Sequence, residues 1–134
     1  RSLALRYDNA MVLNNYAYFL SLEGRDLERA LAMAGRAIVL QENNPTYLDT
    51  YAWVLYRLGR YDEAKKTMQQ ALSLDRSQSP DLQLHYGDIL AALGEKFMAE
   101  VYWKKALEGG YDDPDAIVER FRRLKEAAQT PAAP

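Results

Sequence analysis

The sequence predicts an all-α protein, built as a right-handed helical solenoid of three helix-turn-helix repeats with a C-terminal capping helix. Three observations lead to this fold class. A capping residue followed by proline recurs with spacings of 35 and 34 residues, at Asn44-Pro45, Ser79-Pro80 and Asp113-Pro114. Apolar residues recur at helical spacing in each repeat, and a glycine lies near the middle of each repeat. Self-similarity at a period of this length is typical of stacked repeat architectures.

The helix starts are predicted from the chemistry of helix capping. The side-chain oxygen of a capping residue accepts an orphan backbone N–H, and a proline at the first helical position gives up no hydrogen bond. Counting 35 residues back from Asn44 reaches Asn9, another capping residue, which precedes Ala10. The sequence therefore predicts four helix starts on one period, the first of them after Asn9.

Each repeat carries two apolar stripes at helical spacing, separated by a glycine that suits a left-handed helix cap. The first stripe contains Leu13, Tyr16, Ala17 and Leu20, then Leu48, Tyr51, Ala52 and Leu55, then Gln83, Tyr86, Gly87 and Leu90. The second stripe contains Ala30, Ala34 and Ala37, then Ala64, Met68 and Ala71, then Ala99, Trp103 and Ala106. The separating glycines are Gly24, Gly59 and Gly94. Small residues at the third position of the first stripe predict a close approach of the two helices of a pair.

These residues carry a family resemblance. The second unit is similar to a tetratricopeptide repeat, whose signature alternates large and small residues at these intervals. The residues that carry the similarity are Leu48, Tyr51, Ala52, Leu55, the run GRYDEA from Gly59 to Ala64, Met68, Ala71, Leu72 and Leu74. The first unit resembles the family with one extra residue in LEGRDLERA, and the third resembles it with departures at Gln83 and Phe97. The resemblance covers residues 10–113 and extends to arrays found in bacterial tetratricopeptide proteins.

The period and the resemblance divide the chain into six segments. They are the tail of an upstream helix (1–9), three repeats (10–44, 45–79 and 80–113), a capping helix (114–128) and a flexible tail (129–134). The run SLALRYDN at the start is typical of the last turn of a helix, so we expect the chain to be a piece of a longer protein. In the capping helix, Ile117, Phe121 and Leu124 form one apolar stripe and charged residues cover the other faces, as the exposed end of an array requires.

Composition and motifs argue against a catalytic or metal site. The chain contains no cysteine and a single histidine, His85, which the repeat pattern assigns to helix packing. The acidic pair Asp112 and Asp113 stands at a helix start, where a capping oxygen and a negative charge serve the structure. In the basic run RFRRLK, residues 120–125, neighbouring glutamates indicate a solvated face rather than a phosphate site. We therefore predict no enzyme activity, no metal and no cofactor.

Charge and hydropathy bear on partners and location. The formal net charge is -2, so nothing resembles a polybasic nucleic-acid surface. Apolar runs in the sequence do not approach the roughly 18 residues of a membrane span. The resemblance to bacterial arrays suggests the cell envelope or the cytoplasm, with the envelope favoured.

Function is therefore expected in a surface, and the resemblance implies which one. In stacked arrays the first helix of each pair lines the concave face, and a stripe offset by about 100° from the buried one faces the groove. Aromatic anchors beside amide and carboxylate groups are what a peptide groove needs. The predicted groove residues are Met11, Asn14, Tyr18, Asp49, Trp53, Tyr56, Leu84 and Asp88.

The predicted function is a non-catalytic interaction module that binds a peptide or protein segment in this groove. Because the stripe carries acidic rather than basic residues, we expect apolar or basic partner segments and disfavour an acidic C-terminal tail. The first alternative is a purely structural or self-associating segment, with the groove filled by its own chain or by another copy. The second is an RNA-binding helical repeat, since pentatricopeptide repeats share the 35-residue period, although the charge of -2 and the acidic stripe argue against it.

Overall fold

The computed structural model of the chain describes the backbone of residues 3–129 and the side chains of residues 9–128. Within this part the protein contains seven α-helices and no strand. The helices are α1 (Leu3–Glu23), α2 (Leu27–Leu40), α3 (Pro45–Arg57), α4 (Tyr61–Leu74), α5 (Pro80–Ala92), α6 (Lys96–Glu108) and α7 (Pro114–Gln129). The all-α prediction is confirmed, while the predicted flexible tail lies almost entirely outside the described residues.

Three of the four predicted helix starts are confirmed, because α3, α5 and α7 each begin at the proline of a capping pair. The Asn44 Oδ1 accepts a hydrogen bond from the Tyr47 N–H at 3.2 Å. The Asp113 Oδ1 accepts one from the Ala116 N–H at 3.3 Å, so the acidic pair at this position serves a helix start as predicted.

The helix start predicted after Asn9 is wrong. Helix α1 runs from Leu3 to Glu23 without interruption and passes through this position. Residues 3–12 contain neither proline nor glycine, so nothing in the local sequence interrupts the backbone hydrogen bonds of the helix. A capping residue alone is therefore a weaker start signal than a capping residue followed by proline. The division of the chain into six segments stays a prediction.

The same turn closes the first helix of each pair. Gly24, Gly59 and Gly94 have φ angles of 70°, 82° and 83°, in the left-handed region where glycine carries no steric penalty. The residue after each glycine donates its N–H to a carbonyl five residues earlier, which satisfies an orphan acceptor of the helix end. These bonds are Arg25 N to Leu20 O at 3.3 Å, Arg60 N to Leu55 O at 2.9 Å and Glu95 N to Leu90 O at 2.9 Å.

The helices belong to two compact units, Arg1–Ser77 with α1–α4 and Gln78–Pro134 with α5–α7. In the first unit α1 pairs with α2, α3 pairs with α4, and α3 also packs against both α1 and α2. In the second unit α5 pairs with α6, and α7 packs against α6.

Small residues build the core of the first unit. Two clusters of buried residues join the helix pairs, namely Ala17, Leu20, Ala30, Ala34 and Val54, and Ala10, Ala37 and Tyr47. The alanines of the second stripe are fully buried as predicted. One predicted core residue behaves differently, because Tyr16 remains 41% exposed whereas Tyr51, its counterpart 35 residues later, packs against the first cluster.

In the second unit α5 and α6 approach closely at Gly87. A Cβ atom at this position would lie 2.5 Å from Trp103 Cδ1 and 3.2 Å from the Ala99 carbonyl oxygen. The predicted need for a small residue here is confirmed. The Trp103 ring also meets Phe121 of α7 edge-on at 5.6 Å between ring centroids, so the apolar stripe of α7 contacts α6.

Candidate functional site

The predicted groove residues of the first unit occupy matching positions on two neighbouring helices. Asn14 and Tyr18 of α1 correspond to Asp49 and Trp53 of α3, 35 residues later, and α1 packs against α3. The polar member of each pair is buried, with 6% of Asn14 and 7% of Asp49 exposed. The aromatic member of each pair is half-buried, and Met11 at the start of the stripe is exposed. The two helices therefore present a repeated arrangement of a recessed polar group beside an accessible ring.

An aromatic platform lies on α3. The Trp53 and Tyr56 rings stack with centroids 4.7 Å apart and planes inclined by 20°. Tyr56 in turn meets Tyr61 of α4 at 5.6 Å in a tilted arrangement. All three side chains are half-buried, so each retains surface that a partner can cover.

A buried acceptor lies on α1. The Asn14 Oδ1 has no hydrogen-bond partner among the residues whose side chains are described. A buried polar atom without a partner costs about 1–3 kcal/mol, and a donor from a bound molecule removes that cost. About two turns further along, Ser21 is fully buried, and its Oγ donates a hydrogen bond to the Tyr18 carbonyl oxygen at 2.5 Å.

The second unit differs from the prediction. Leu84 and Asp88 were expected to line the groove, yet only 2% of Leu84 and 8% of Asp88 are exposed. The reason is that every residue from Leu82 to Leu90 is buried, so α5 is covered on all sides and the 100° offset does not lead to solvent. His85 lies in this buried stretch, where the sequence predicted a packing role.

The Asp88 carboxylate is occupied by two other helices of its unit. Its Oδ1 accepts a hydrogen bond from the Trp103 Nε1 at 2.9 Å and one from the Arg120 Nε at 2.7 Å. Its Oδ2 accepts a hydrogen bond from the Arg120 Nη2 at 2.9 Å, so the ion pair between Asp88 and Arg120 is bidentate. Asp88 therefore joins α5 to α6 and α7, and its charge is neutralised within the protein.

Arg120 is the partner of Asp88 that the sequence analysis missed. The residue was grouped with the solvated charges of the capping helix, but only 29% of its side chain is exposed. A signal was available, because Arg120 stands at i+3 from Ile117 and therefore inside the apolar stripe of α7. A charge within an apolar stripe requires a buried counter-charge.

The other arginines of RFRRLK have partners on α7 itself. Arg122 pairs with Glu119 and Glu126, and the Arg123 Nε lies 3.1 Å from the Glu119 Oε1. The hydrogen bond from Arg122, assisted by Arg123, lowers the pKa of Glu119 from its ordinary value of 4.5 to about 2. These contacts agree with the predicted solvated face.

The Glu119 carboxylate provides a pH test of this network. Since its pKa is lowered, the ion pairs contribute to stability at pH values above 4.5, and the contribution is lost as the pH falls toward about 2. Because the group is exposed, added salt should weaken the effect. We expect an NMR titration midpoint of about 2 for Glu119, and Arg122→Gln should move the midpoint back toward 4.5. A midpoint near 4.5 in the unmodified chain would contradict the pairing.

Further features of the described residues lie away from the predicted groove. An open cleft of about 540 Å³ lies at the α2–α3 turn, lined by residues 40–46, and it includes none of the predicted groove residues. Across the part of the chain that was searched, no group of three or more histidine, cysteine, aspartate or glutamate side chains is arranged to hold a metal ion. Among the same residues, none of the helices combines the length and the apolar character needed to cross a membrane.

Comparison with known proteins identifies the repeat. The tetratricopeptide repeat family model matches residues 45–77, which contain α3 and α4. The TPR repeat-containing protein PA4667 of Pseudomonas aeruginosa is 30% identical over 86 residues, or 64% of this chain. The chain spans only 14% of the length of that relative.

Solved structures share the fold at low sequence identity. The first TPR domain of human RPAP3 has a TM-score of 0.78 at 19% identity, covering 91% of this chain and 94% of that one. The first TPR of Spaghetti (RPAP3) bound to the HSP90 peptide SRMEEVD has a TM-score of 0.76, with 19% identity and coverage of 92% and 95%. The type III secretion translocator chaperone SycD of Yersinia enterocolitica has a TM-score of 0.74, with 19% identity and coverage of 92% and 96%.

The chain contains a tetratricopeptide repeat. The predicted family and fold class are thereby confirmed, and the bacterial relative agrees with the predicted bacterial character of the array. Tetratricopeptide repeats are in general non-catalytic scaffolds for protein interactions.

Proposed function

We propose that this tetratricopeptide repeat protein is a non-catalytic interaction module whose first unit binds an extended peptide segment with apolar or basic side chains. The binding surface comprises Asn14 and Tyr18 of α1 with Asp49, Trp53 and Tyr56 of α3. The observation that carries the proposal is the half-buried stack of Trp53 on Tyr56, whose helix packs against α1. Met11 lies at the edge of this surface.

The aromatic side chains supply the area for binding. Tryptophan and tyrosine are enriched among the residues that dominate binding energy, because they offer a large contact area with few rotatable bonds. Stacking holds the Trp53 and Tyr56 rings in place before a partner arrives, so less conformational entropy is lost on binding. Apolar side chains of a peptide, or a guanidinium group lying over a ring, fit such a platform.

The polar groups set the chemistry of the partner. The orphan Asn14 Oδ1 accepts hydrogen bonds, and the Asp49 carboxylate is an acceptor that carries a negative charge. Both groups are more than nine-tenths buried, so a donor that reaches them does so in surroundings that strengthen electrostatic interactions. Backbone N–H groups and the side chains of lysine and arginine can donate hydrogen bonds to these two acceptors.

The comparison structures support peptide binding as a class of function. The Spaghetti (RPAP3) repeat was solved with the acidic peptide SRMEEVD. In this chain Asp49 lies on the proposed surface, where it would repel an acidic segment. The sequence argument had also counted Asp88, but Arg120 neutralises that residue.

The proposal is tested by fluorescence anisotropy with two labelled heptapeptides, SRMEEVD and a variant with lysine in place of its three acidic residues. We expect the lysine peptide to bind at least about tenfold more tightly, which corresponds to about 1.4 kcal/mol. The double change Tyr18→Ala with Trp53→Ala should abolish that binding. Asp49→Asn should weaken binding of the lysine peptide and strengthen binding of the acidic peptide, because it removes the negative charge that attracts the one and repels the other.

Val39→Ala is the matched control, since Val39 is 74% exposed on α2 and lies outside the proposed surface. Circular dichroism establishes that each variant is folded. Equal binding of both peptides, or undiminished binding by the folded double variant, would contradict the proposal. Binding that appears only as self-association of the chain would instead support the alternative of a structural segment.

A further inference from the structure

A second cleft lies between α6 and α7 of the second unit. Its volume is about 420 Å³, within the range of about 300–1,000 Å³ that ligand pockets occupy. The lining residues are Lys96 and Glu100 of α6 with Phe121, Leu124, Lys125 and Ala128 of α7. Most of the exposed lining is apolar. We call this feature the α6–α7 cleft.

The apolar floor of the cleft is the part of the α7 stripe that the fold leaves open. Ile117 at the start of the stripe is fully buried, Phe121 and Leu124 are half-buried, and Ala128 is exposed. Burial of the stripe therefore decreases toward the C-terminal end of α7. An open apolar patch with a polar rim is typical of an interaction site.

The first turn of α6 departs from the other repeats beside this cleft. The buried alanine of the second stripe is preceded by Leu-Glu-Arg in α2, by Tyr-Asp-Glu in α4 and by Lys-Phe-Met in α6. Two charged positions of the other repeats thus carry the apolar residues Phe97 and Met98, which are 78% and 42% exposed. Phe97 directly follows Lys96 and stands at i−3 from Glu100, so it extends the apolar surface onto the rim of the cleft.

The charges of the cleft favour an acidic ligand. Two lysines and one glutamate line it, so two positive charges less one negative leave a net charge of +1. Neither Lys96 nor Lys125 forms an ion pair with another described residue. Lys96 is also the first residue of α6, where the backbone N–H groups of the helix end add a positive partial charge.

We propose that the α6–α7 cleft binds an acidic amphipathic peptide segment of a partner protein. Bulky apolar side chains of the segment would pack on Phe121 and Leu124 and against Phe97 at the rim. Its carboxylates would pair with Lys96 and Lys125. The charge preference is opposite to that proposed for the first unit, so the two surfaces would take different segments. This inference does not rest on the proposed peptide surface of the first unit.

Other parts of the chain match the cleft less well. Residues 130–134, with the sequence TPAAP, contain neither a bulky aliphatic nor an acidic side chain. The exposed rings of Phe19 and Tyr16 on α1 lie under the guanidinium groups of Arg25 and Arg29, each at 5.9 Å. A second copy that used this face of α1 would bring positive charge to the lysines of the cleft.

The proposal is tested by fluorescence anisotropy on the complete 134-residue chain with two short labelled peptides. The probe LEELLEEL carries leucines at helical spacing with glutamates between them, and SEESSEES lacks the apolar side chains. We expect the probe to bind at least about tenfold more tightly than SEESSEES. Added salt should weaken the binding, because it screens the ion pairs. An excess of the unlabelled lysine heptapeptide should not displace the probe.

Phe97→Asp tests the rim of the cleft. It introduces the residue type that α4 has at this position, and it should weaken probe binding at least about tenfold. Met98→Glu is the matched control, because it also introduces the residue type of α4 at an exposed apolar position and changes the charge equally. Met98 stands two residues from both Lys96 and Glu100, on the opposite side of α6, so Met98→Glu should leave binding unchanged.

The double change Lys96→Gln with Lys125→Gln tests the charge preference. We expect probe binding at least about tenfold weaker and less dependent on salt. Lys66→Gln, at an exposed position of α4, is the control and should have no effect. In NMR spectra of the unmodified chain, the probe should shift the backbone signals of Leu124 and Ala128.

Circular dichroism establishes that each variant is folded. Failure of the folded chain to bind the probe would overturn the proposal, as would equal effects of Phe97→Asp and Met98→Glu. Undiminished binding by the folded lysine variant, or displacement of the probe by the lysine heptapeptide, would also overturn it. So would self-association of the chain that excludes the probe, because a second copy would then occupy the cleft.

Discussion

Replacing Asp88 with alanine is expected to lower the free energy of unfolding of the α5–α7 unit by about 3–5 kcal/mol, the usual effect of removing one partner of a buried ion pair. The Asp88 carboxylate holds Trp103 of α6 and Arg120 of α7 at distances between 2.7 and 2.9 Å. Alanine would leave the largely buried guanidinium of Arg120 without its counter-charge and the Trp103 N–H without its acceptor. The loss should therefore appear as detachment of α7 as well as a lower unfolding midpoint.

The chain offers a convenient measurement of this effect. It contains two tryptophans, Trp53 in the first unit and Trp103 in the second, so Trp53→Phe leaves Trp103 as the reporter of the α5–α7 unit. Urea unfolding followed by Trp103 fluorescence gives the free energy of unfolding in this background. The double change Asp88→Ala with Arg120→Ala should cost less than the sum of the single changes, because it removes both charges.

Glu126→Gln is the matched control for Asp88→Ala. Glu126 also pairs with an arginine of α7, but its side chain is 59% exposed, so its removal should change the free energy of unfolding by less than about 1 kcal/mol. If Asp88→Ala costs no more than this control, the ion pair between α5 and α7 does not stabilise the unit in solution.

The second large effect is expected for Gly87→Ala, which should destabilise the α5–α7 unit by about 1–3 kcal/mol, as overpacking of a filled core does. The new methyl group would lie 2.5 Å from Trp103 Cδ1 and 3.2 Å from the Ala99 carbonyl oxygen. Trp103 cannot move away freely, because it is 97% buried and its Nε1 is held by Asp88. This penalty should exceed the gain of about 1 kcal/mol that alanine brings to a helix interior.

Gly35→Ala on α2 is the control and should have the opposite sign. Its nearest neighbour, Tyr51 Cε2, lies 3.4 Å from the position of the new Cβ, which is an ordinary contact distance. The helix propensity of alanine should then raise the free energy of unfolding by up to about 1 kcal/mol. Thermal unfolding followed by circular dichroism compares the two variants. A stabilised Gly87→Ala protein would show that α5 and α6 do not approach as closely as described.

Local signals account for what the sequence predicted well. Helices begin at Pro45, Pro80 and Pro114 because the proline ring fixes the φ angle of its own residue. This effect requires no contact with a distant part of the chain. Gly24 and its two counterparts end helices because they adopt a left-handed conformation that other residues resist. Asn9 failed as a start signal because a capping side chain only assists a helix start and does not prevent a helix from continuing.

The candidate site was predicted in part. Tyr18 and Trp53, which the 100° offset from the buried stripe assigned to the groove, are half-buried. The same rule failed for Asp88, because its carboxylate is bound by residues 15 and 32 positions later in the chain. Those residues lie on other helices, and a helical wheel of α5 does not show where the other helices are placed. The peptide-binding role of the groove residues stays a prediction.

By itself, the sequence determined the repeat period, the positions of most helix starts and ends, and the family, because each of these follows from interactions within a few residues or from spacing along the chain. Only the tertiary structure decided which helix faces are covered, since burial depends on neighbours that are distant in sequence. That is why the same apolar positions are exposed at Phe19 and buried at Val54, and why Asp88 pairs with Arg120 of α7 instead of facing a groove.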